Sequence, residues 1–303
     1  MLLRFLQNSN FSNSIHEDLS DLIQYVTPPD VPLYSRLKRV RATQVLHEWT
    51  ETTNTSTFTD SVYAESSAPA DTSNSTVRRN NKIMSIGRIA KASELLNASN
   101  TVGAIDAFAR EVEEKMMDVM RAIEYWTYNG DVTQTAPQQM NGLLNILTAG
   151  NGTNVVANGG GALTEVNLQS VLVACYTKGG NPDLIMCSPT VAQRIANFVQ
   201  NRTQYLSTDI AGGVSQQTLK YLSPLGRVLE IVPVRGDFLA SGTVLVLDSS
   251  KLAYAELVPG IVSKELSIGS LDIVANRLIK SYVTLELRVP SYHGKITSVA
   301  ESL

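Results

Sequence analysis

The stretch TETTNTSTFTDSVYAESSAPADTSNSTV, from Thr50 to Val77, is the most unusual part of this sequence. Half of its 28 residues are Ser or Thr, and it contains no Lys or Arg. Connections between secondary-structure elements are usually about 4–6 residues long, and structureless loops beyond about 12–15 residues are usually functional or disordered. A segment of this kind must therefore be explained by any fold proposed for the chain.

The residues on either side of this stretch indicate that it belongs to a long two-stranded excursion. QVLHEWTE (44–51) alternates apolar and polar side chains, as a strand does, and VRRNNKIMSIGRIAKA (77–92) is also typical of a strand. Both flanks are basic, whereas the residues between them carry only acids. A Thr-rich composition favours β structure. Because an isolated two-stranded ribbon is marginal in water, we expect another chain to cover it; a plain disordered loop is the alternative.

Composition excludes several classes of protein. The 303 residues are 43% hydrophobic and 17% charged, which is typical of a folded chain, and the net charge of -3 does not fit a protein that reads DNA through its phosphates. No apolar run is long enough to span a membrane, and Arg4 interrupts the short N-terminal apolar stretch, so we expect no signal peptide. Cys175 and Cys187 suit a reduced protein as buried residues.

The rest of the chain predicts α+β structure. Apolar residues from Val102 to Trp126 recur at steps of three and four, which predicts one long helix ending at Asn129-Gly130, and a shorter helix is predicted over 15–26. GNGTNVVANGGG (150–161) is interpreted as a flexible connector and a domain boundary. The elements predicted after it are helices over 164–178 and from 189 to 198, and strands over 183–188, 227–234, 243–248, 251–258 and 279–289.

No catalytic constellation is evident. The three histidines lie in three different segments, and His47 lacks the second His that the zinc-protease motif H-E-x-x-H requires, because Glu51 stands at that position. There is no G-x-S-x-G motif, and Asp248 is a single carboxylate at the end of a predicted strand. We therefore predict that the protein is not an enzyme and binds no cofactor or metal.

The order of these parts resembles the major capsid proteins of tailed bacteriophages with the Hong Kong 97-type fold. More narrowly, it resembles the major head protein family typified by an elongated-head podovirus. The likeness covers nearly the whole chain, although each motif is modest alone and Val31 stands where the family usually has Thr. The segments that carry it are VTPPDVPLYSRLKR (26–39), HEWTE (47–51), PDLIMCSPTVAQRIANFV (182–199), YLSPLGRVLEIVPVR (221–235) and TLELRVPSYHGKI (284–296).

The resemblance implies an α+β fold with an N-terminal arm, an extended β-hairpin loop, a peripheral domain with a long spine helix, and an axial α/β domain. The implied bounds are 1–40 for the arm, 41–92 for the extended loop, 93–160 for the peripheral domain with its spine helix, 161–261 for the axial domain, and 262–303 for the returning peripheral strands. The extended loop is expected to lie over a neighbouring subunit. The candidate inter-subunit contacts are Trp49, Phe58, Tyr63, Arg78 and Arg79.

The implied function is self-assembly into an icosahedral or elongated phage head that encloses double-stranded DNA. The implied partners are further copies of the chain in hexamers and pentamers, a portal, possible decoration or scaffolding proteins, and DNA contacted non-specifically on the inner face; no membrane is implied. We expect the protein in the virion, after assembly in the host cytoplasm. An encapsulin shell, a small-molecule enzyme and a bland α+β protein remain alternatives.

Two departures from the type phage qualify the resemblance. That phage cross-links its shell through a lysine in the extended loop, whereas residues 42–77 here contain no lysine, so we predict no such isopeptide bond. Its long N-terminal scaffolding segment is replaced here by at most about 25 residues before the arm. The resemblance therefore implies a separate scaffolding protein, if one is used.

Overall fold

Two β-sheets and a separate β-hairpin organise the protein. The computed structural model describes residues 31–54, 62–68, 73–93, 107–200, 220–266 and 273–301. The helix predicted over 15–26 lies outside the described residues. The strands are β1 Lys38–Arg41, β2 Leu46–Thr53, β3 Ser75–Lys82, β4 Met84–Ser93, β5 Asn154–Ala157, β6 Leu184–Cys187, β7 Lys220–Leu222, β8 Val228–Pro233, β9 Val244–Leu247, β10 Leu252–Glu265, β11 Ile273–Leu287 and β12 Gly294–Thr297.

The strands pair in three groups, with helices packed against the two larger ones. A four-stranded sheet has the order β1-β10-β11-β4, a six-stranded sheet has the order β5-β12-β9-β6-β8-β7, and β2 pairs with β3 alone. Short 3-10 turns occupy Ala149–Asn151, Ser249–Lys251 and Pro290–Tyr292. The helices are α1 Pro32–Arg36, α2 Ala107–Asn129, α3 Leu143–Ile146, α4 Glu165–Thr177 and α5 Pro189–Gln200.

The long helix α2 packs on one face of the four-stranded sheet. Val119 and Ile123 are fully buried against a core that includes Ile279 and Val283 of β11. At about 1.5 Å per residue the 23 residues of α2 extend roughly 35 Å. The three-and-four periodicity thus predicted this element correctly over the described range, and residues 94–106 before it are not described.

Gly130 ends α2 for a reason other than left-handed backbone. Its φ lies outside the left-handed region, but a Cβ placed on it would lie 2.3 Å from the carbonyl oxygen of Met140. The neighbouring Gly142 donates its N–H to the Gly130 carbonyl over 2.9 Å. The residue is therefore required by the close approach of two backbone segments, which the sequence pattern did not show.

The six-stranded sheet forms a second core with α4 and α5. Thr164 caps α4, since its hydroxyl accepts a hydrogen bond from the Asn167 N–H over 3.3 Å. Helix α5 begins at Pro189, as predicted. Burial raises the pKa of Cys175 to about 11 and that of Cys187 to about 12, so both thiols are unreactive at neutral pH.

The interpretation of residues 150–161 as a flexible connector is wrong. This segment contains β5, which runs parallel to β12 with Asn154 opposite Gly294. Both β5 and β12 complete the six-stranded sheet, although they lie outside the bounds predicted for the axial domain. The division into domains remains a prediction, and sheet membership places these two strands with residues 161–261.

The described part of the predicted N-terminal arm also belongs to the body. Leu33 of α1 is fully buried, and β1 pairs in parallel with β10. The predicted extended loop is likewise shorter than 41–92, because β4 is an integral strand of the four-stranded sheet. The excursion itself comprises residues 46–82.

A buried carboxylate connects α1 to α2. Glu124 accepts hydrogen bonds from the N–H groups of Leu33 (3.1 Å) and Tyr34 (2.7 Å) and from the Tyr128 hydroxyl (2.8 Å). The first turn of a helix has no intrahelical partners for its N–H groups, so Glu124 satisfies donors that would otherwise be buried and unpaired.

A buried histidine joins the two sheets. The Nδ1 atom of His293 accepts from the Asp248 N–H over 3.2 Å, and Nε2 lies 3.3 Å from the Arg288 carbonyl oxygen. These contacts require a neutral ring with its proton on Nε2. Burial lowers the pKa of His293 to about 4.

Substitution of the buried carboxylate, Glu124→Gln, is expected to lower the free energy of unfolding by about 2–4 kcal/mol, because buried donors lose a charged acceptor. Urea denaturation followed by circular dichroism measures the change. Glu113→Gln, at an exposed position of the same helix, is the control. Equal midpoints for the two variants would contradict the assignment.

The subunit is expected to lose stability as the pH falls from about 6.5 to about 4. In that interval the unfolded chain binds a proton at His293 that the folded chain excludes. The free energy of unfolding therefore falls by about 3 kcal/mol across the interval. Above pH 6.5 this contribution is constant. Thermal melting at stepped pH should show a shallower acid dependence for His293→Gln than for the wild type, and identical slopes would disprove the role given to this residue.

Candidate assembly interface

The hairpin of β2 and β3 projects from the body with little cover of its own. Its strands pair from Leu46 opposite Lys82 to Thr53 opposite Ser75. On β2 the side chains of His47, Trp49 and Glu51 are half-buried, whereas the alternate residues are exposed. Beyond Glu51, every described residue of the hairpin up to Arg78 is exposed. The excursion predicted from the sequence is therefore a real β-hairpin, and its outer half has two uncovered faces.

Glu51 fixes the root of the hairpin to the body. Its Oε1 accepts from the backbone N–H of Val289 over 2.7 Å and from Trp49 Nε1 over 3.2 Å, and Oε2 accepts from Arg79 Nε over 3.4 Å. Val289 has φ 50°, an uncommon conformation for a β-branched residue. One carboxylate thus holds a strained backbone turn, an aromatic ring and the second strand of the hairpin.

A fully buried carboxylate lies deeper beneath the hairpin root. Glu286 of β11 is 2% exposed, and its Oε2 lies 2.8 Å from His47 Nε2. Arg288 bonds the other oxygen. Glu286 alternates with apolar residues in the strand predicted over 279–289, and it is nevertheless buried, because His47 of the hairpin root contacts it.

Asn81 completes the root and was not recognised in the sequence. Its amide nitrogen donates to the carbonyl oxygens of Leu285 (2.7 Å) and Asn141 (3.1 Å), and its Oδ1 accepts from the Asn141 N–H (2.8 Å). The side chain is 1% exposed. A single Asn in a polar strand carries no local signal, since both of its partners lie far along the chain.

The five predicted contact residues have different surroundings. Trp49 belongs to the root, where it packs 5.8 Å from the ring of His47. Tyr63 is 58% exposed near the hairpin tip, and Phe58 lies outside the described residues. Arg78 and Arg79 form ion pairs within the hairpin, with Glu48 (3.5 Å) and Glu51 (3.4 Å). Of the four described, Tyr63 and the largely exposed Arg78 are best placed to meet another chain.

The described residues show a charged cleft of about 470 Å³ between α2 and β4. It is lined by Arg88, Asp118, Arg121, Tyr125 and Asp237, among others. Its charged groups are two carboxylates and two guanidinium groups, and the side chain of Tyr125 lies beside them. Among the described residues, no cluster of three or more His, Cys, Asp or Glu could hold a metal ion.

A protein-family model for the SU10 major capsid protein matches residues 5–300. The chain belongs to the SU10 major capsid protein family. It is thus a major capsid protein of the tailed-phage kind, which confirms the resemblance inferred from the sequence. No curated protein matches the chain. In the part of the chain that the structure describes, no helix combines the length and apolar character that a membrane span requires.

Solved structures show that this capsid protein has the Hong Kong 97-type fold. The cyanophage A-1(L) capsid subunit aligns with a TM-score of 0.68 at 12% identity, covering 97% of this chain and 99% of that one. The capsid of a native GTA particle aligns with a TM-score of 0.67 at 13% identity, covering 99% and 100%. The SrpI encapsulin of Synechococcus elongatus aligns with a TM-score of 0.62 at 14% identity, covering 99% and 98%.

Glu51→Gln is expected to loosen the hairpin root of this capsid protein, because a neutral amide holds the Val289 N–H and Arg79 less strongly. Trypsin cleaves after Arg78 and Arg79, so limited proteolysis of dissociated subunits measures the effect. We expect cleavage to be roughly tenfold faster, which corresponds to about 1.4 kcal/mol. Glu48→Gln is the matched control, since Glu48 pairs with Arg78 at the exposed surface; equal rates for both variants would refute the anchoring role of Glu51.

Proposed function

We propose that this protein assembles into a closed icosahedral or elongated phage head that encloses double-stranded DNA. The family match over residues 5–300 carries this proposal, and the exposed outer half of the hairpin supports it. A two-stranded ribbon without a third layer is unstable in water. Packing against an adjacent copy supplies the missing layer, and closed symmetry repeats that contact around the shell.

Hexamers and pentamers are the proposed building units. In this arrangement the six-stranded unit forms the axial domain near the centre of each capsomer, and the four-stranded sheet with α2 forms the peripheral domain. The extended hairpin crosses to the neighbouring subunit with Phe58, Tyr63, Arg78 and Arg79 as contact candidates, and Trp49 stiffens its root. Because residues 42–77 contain no lysine, the shell is held by non-covalent contacts along this loop.

The further partners follow from the role of a capsid. A portal, a separate scaffolding protein and decoration proteins are proposed, together with DNA that touches the inner face non-specifically. The small net charge of -3 suits a container that must not bind its genome tightly. The protein acts structurally in the virion, after assembly in the host cytoplasm.

An encapsulin shell is the second candidate, because the SrpI encapsulin shares the fold along almost the whole chain. The two functions differ in what the shell contains. A phage head holds DNA or scaffolding protein, whereas an encapsulin holds a specific enzyme.

Expression of the full chain in bacteria, followed by negative-stain electron microscopy, tests the proposal. We expect closed shells or capsomers, since another copy would cover the exposed faces of the hairpin's outer half. Dispersed monomers at concentrations where related shells form would contradict it. Mass spectrometry of the particles separates the two candidates, because a single co-purifying enzyme inside the shells would favour the encapsulin.

A further inference from the structure

In the described part of the chain, one face of the four-stranded sheet is open at the end away from the hairpin. On β11, Asn276, Leu278, Lys280 and Tyr282 point to this face, opposite the residues that pack on α2. Their partners on β4 are Lys91, Ile89, Gly87 and Ser85, all of which are exposed. Their partners on β10 include Lys264, Val262 and Val258.

This open face is basic. Lys264 lies opposite Leu278 of β11, and Lys91 lies opposite Asn276, two residues before Leu278. Lys280 is on β11 itself, two residues after Leu278. Strand spacing places the Cα atoms of these three lysines roughly 8–14 Å from one another. Among the described residues none of the three forms an ion pair, and Glu265, the carboxylate next to Lys264, pairs with Arg277 instead.

The open face is also apolar between the lysines. Ile89 is 44% exposed, Val258 is 38% exposed, and Leu278 and Val262 are partly exposed. Exposed aliphatic side chains on a sheet face, ringed by charge, are typical of a protein interaction site.

The hairpin tip has the complementary chemistry. Residues 54–74 contain three acids, Asp60, Glu65 and Asp71, and no Lys, Arg or His. Val62 is 84% exposed and Tyr63 is 58% exposed, so the tip also presents apolar surface. Three carboxylates and two large apolar side chains thus match three lysines and a patch of aliphatic residues.

The described strands of the hairpin point away from the open face of their own subunit. His47, near the start of β2, contacts Glu286, and Glu51, four residues further along β2, contacts the N–H of Val289. The hairpin therefore runs toward the C-terminal end of β11 and beyond it. Lys280 and Leu278 lie in the opposite direction along the same strand. The match is therefore one between two copies of the chain.

We infer that the open face formed by Lys91, Lys264 and Lys280 around Leu278 is the surface that receives the acidic hairpin tip of a second copy. The inference rests on the proposed function and names the surface on the neighbouring subunit that the extended hairpin contacts. The cleft beside α2 is a poorer receiver, since Asp118 and Asp237 offset the charges of Arg88 and Arg121 there.

Charge reversal tests the inference. The triple variant Lys91→Glu, Lys264→Glu and Lys280→Glu is expected to reduce the yield of shells roughly tenfold or more, because like charges then face each other. The control reverses Lys178, Lys220 and Lys251, which lie outside the four-stranded face, and should assemble normally. Combining the first triple variant with Asp60→Lys, Glu65→Lys and Asp71→Lys restores opposite charges and should recover most of the yield, which a folding defect would not allow.

A cysteine pair provides the second measurement. Shells that carry Glu65→Cys and Lys264→Cys should form disulfide-linked chains between subunits on a non-reducing gel, since the native Cys175 and Cys187 are buried. Shells without such chains would overturn the inference. So would a lysine variant that assembles normally and loses only packaged nucleic acid, because the face would then bind DNA. Absence of wild-type shells, in contrast, would overturn the proposed function itself.

Discussion

The structure depends on one constraint, which is that the two strands of a hairpin cannot bury their own side chains without a further layer. From Thr52 outward the described residues on both faces of the hairpin are exposed, and they include Val62 and Tyr63. A ribbon of this kind has almost no hydrophobic stabilisation of its own, because burial of apolar area supplies most of the free energy of folding. We propose that the remainder of its stability comes from another chain, and membership of a capsid family makes a further copy of the same protein the natural candidate.

The body of the subunit is built to hold this ribbon at a fixed angle. Buried and half-buried polar groups orient the attachment: Glu51 accepts from the N–H of Val289, Glu286 contacts His47, and Asn81 bridges to Leu285 and Asn141. Hydrogen bonds have directional requirements that apolar contacts lack. They therefore define the direction in which the hairpin leaves the sheet, and this direction points its two strands away from the open face of their own subunit.

Local patterns in the sequence predicted the elements whose signal is local. The stripe from Val102 to Trp126 predicted α2, and the alternation around His47 and Trp49 predicted β2. The strand β5 was missed because its parallel partner β12 lies near the other end of the chain, so glycine and asparagine in that segment indicated only a connector. The polar groups of the interface were missed for the same reason. Nothing near Glu51, Asn81 or Glu124 in the sequence distinguishes a buried anchor from a surface residue, since the body groups that each one holds are distant in sequence.

Hydrogen–deuterium exchange of residues 46–82, compared between assembled shells and dissociated subunits, tests the central claim most directly. If a neighbouring copy covers the hairpin, the amides of its outer half exchange rapidly in subunits and become strongly protected in shells, while the root near Glu51 is protected in both. If the outer half is equally protected in dissociated subunits, the hairpin is stable on its own and the account is contradicted.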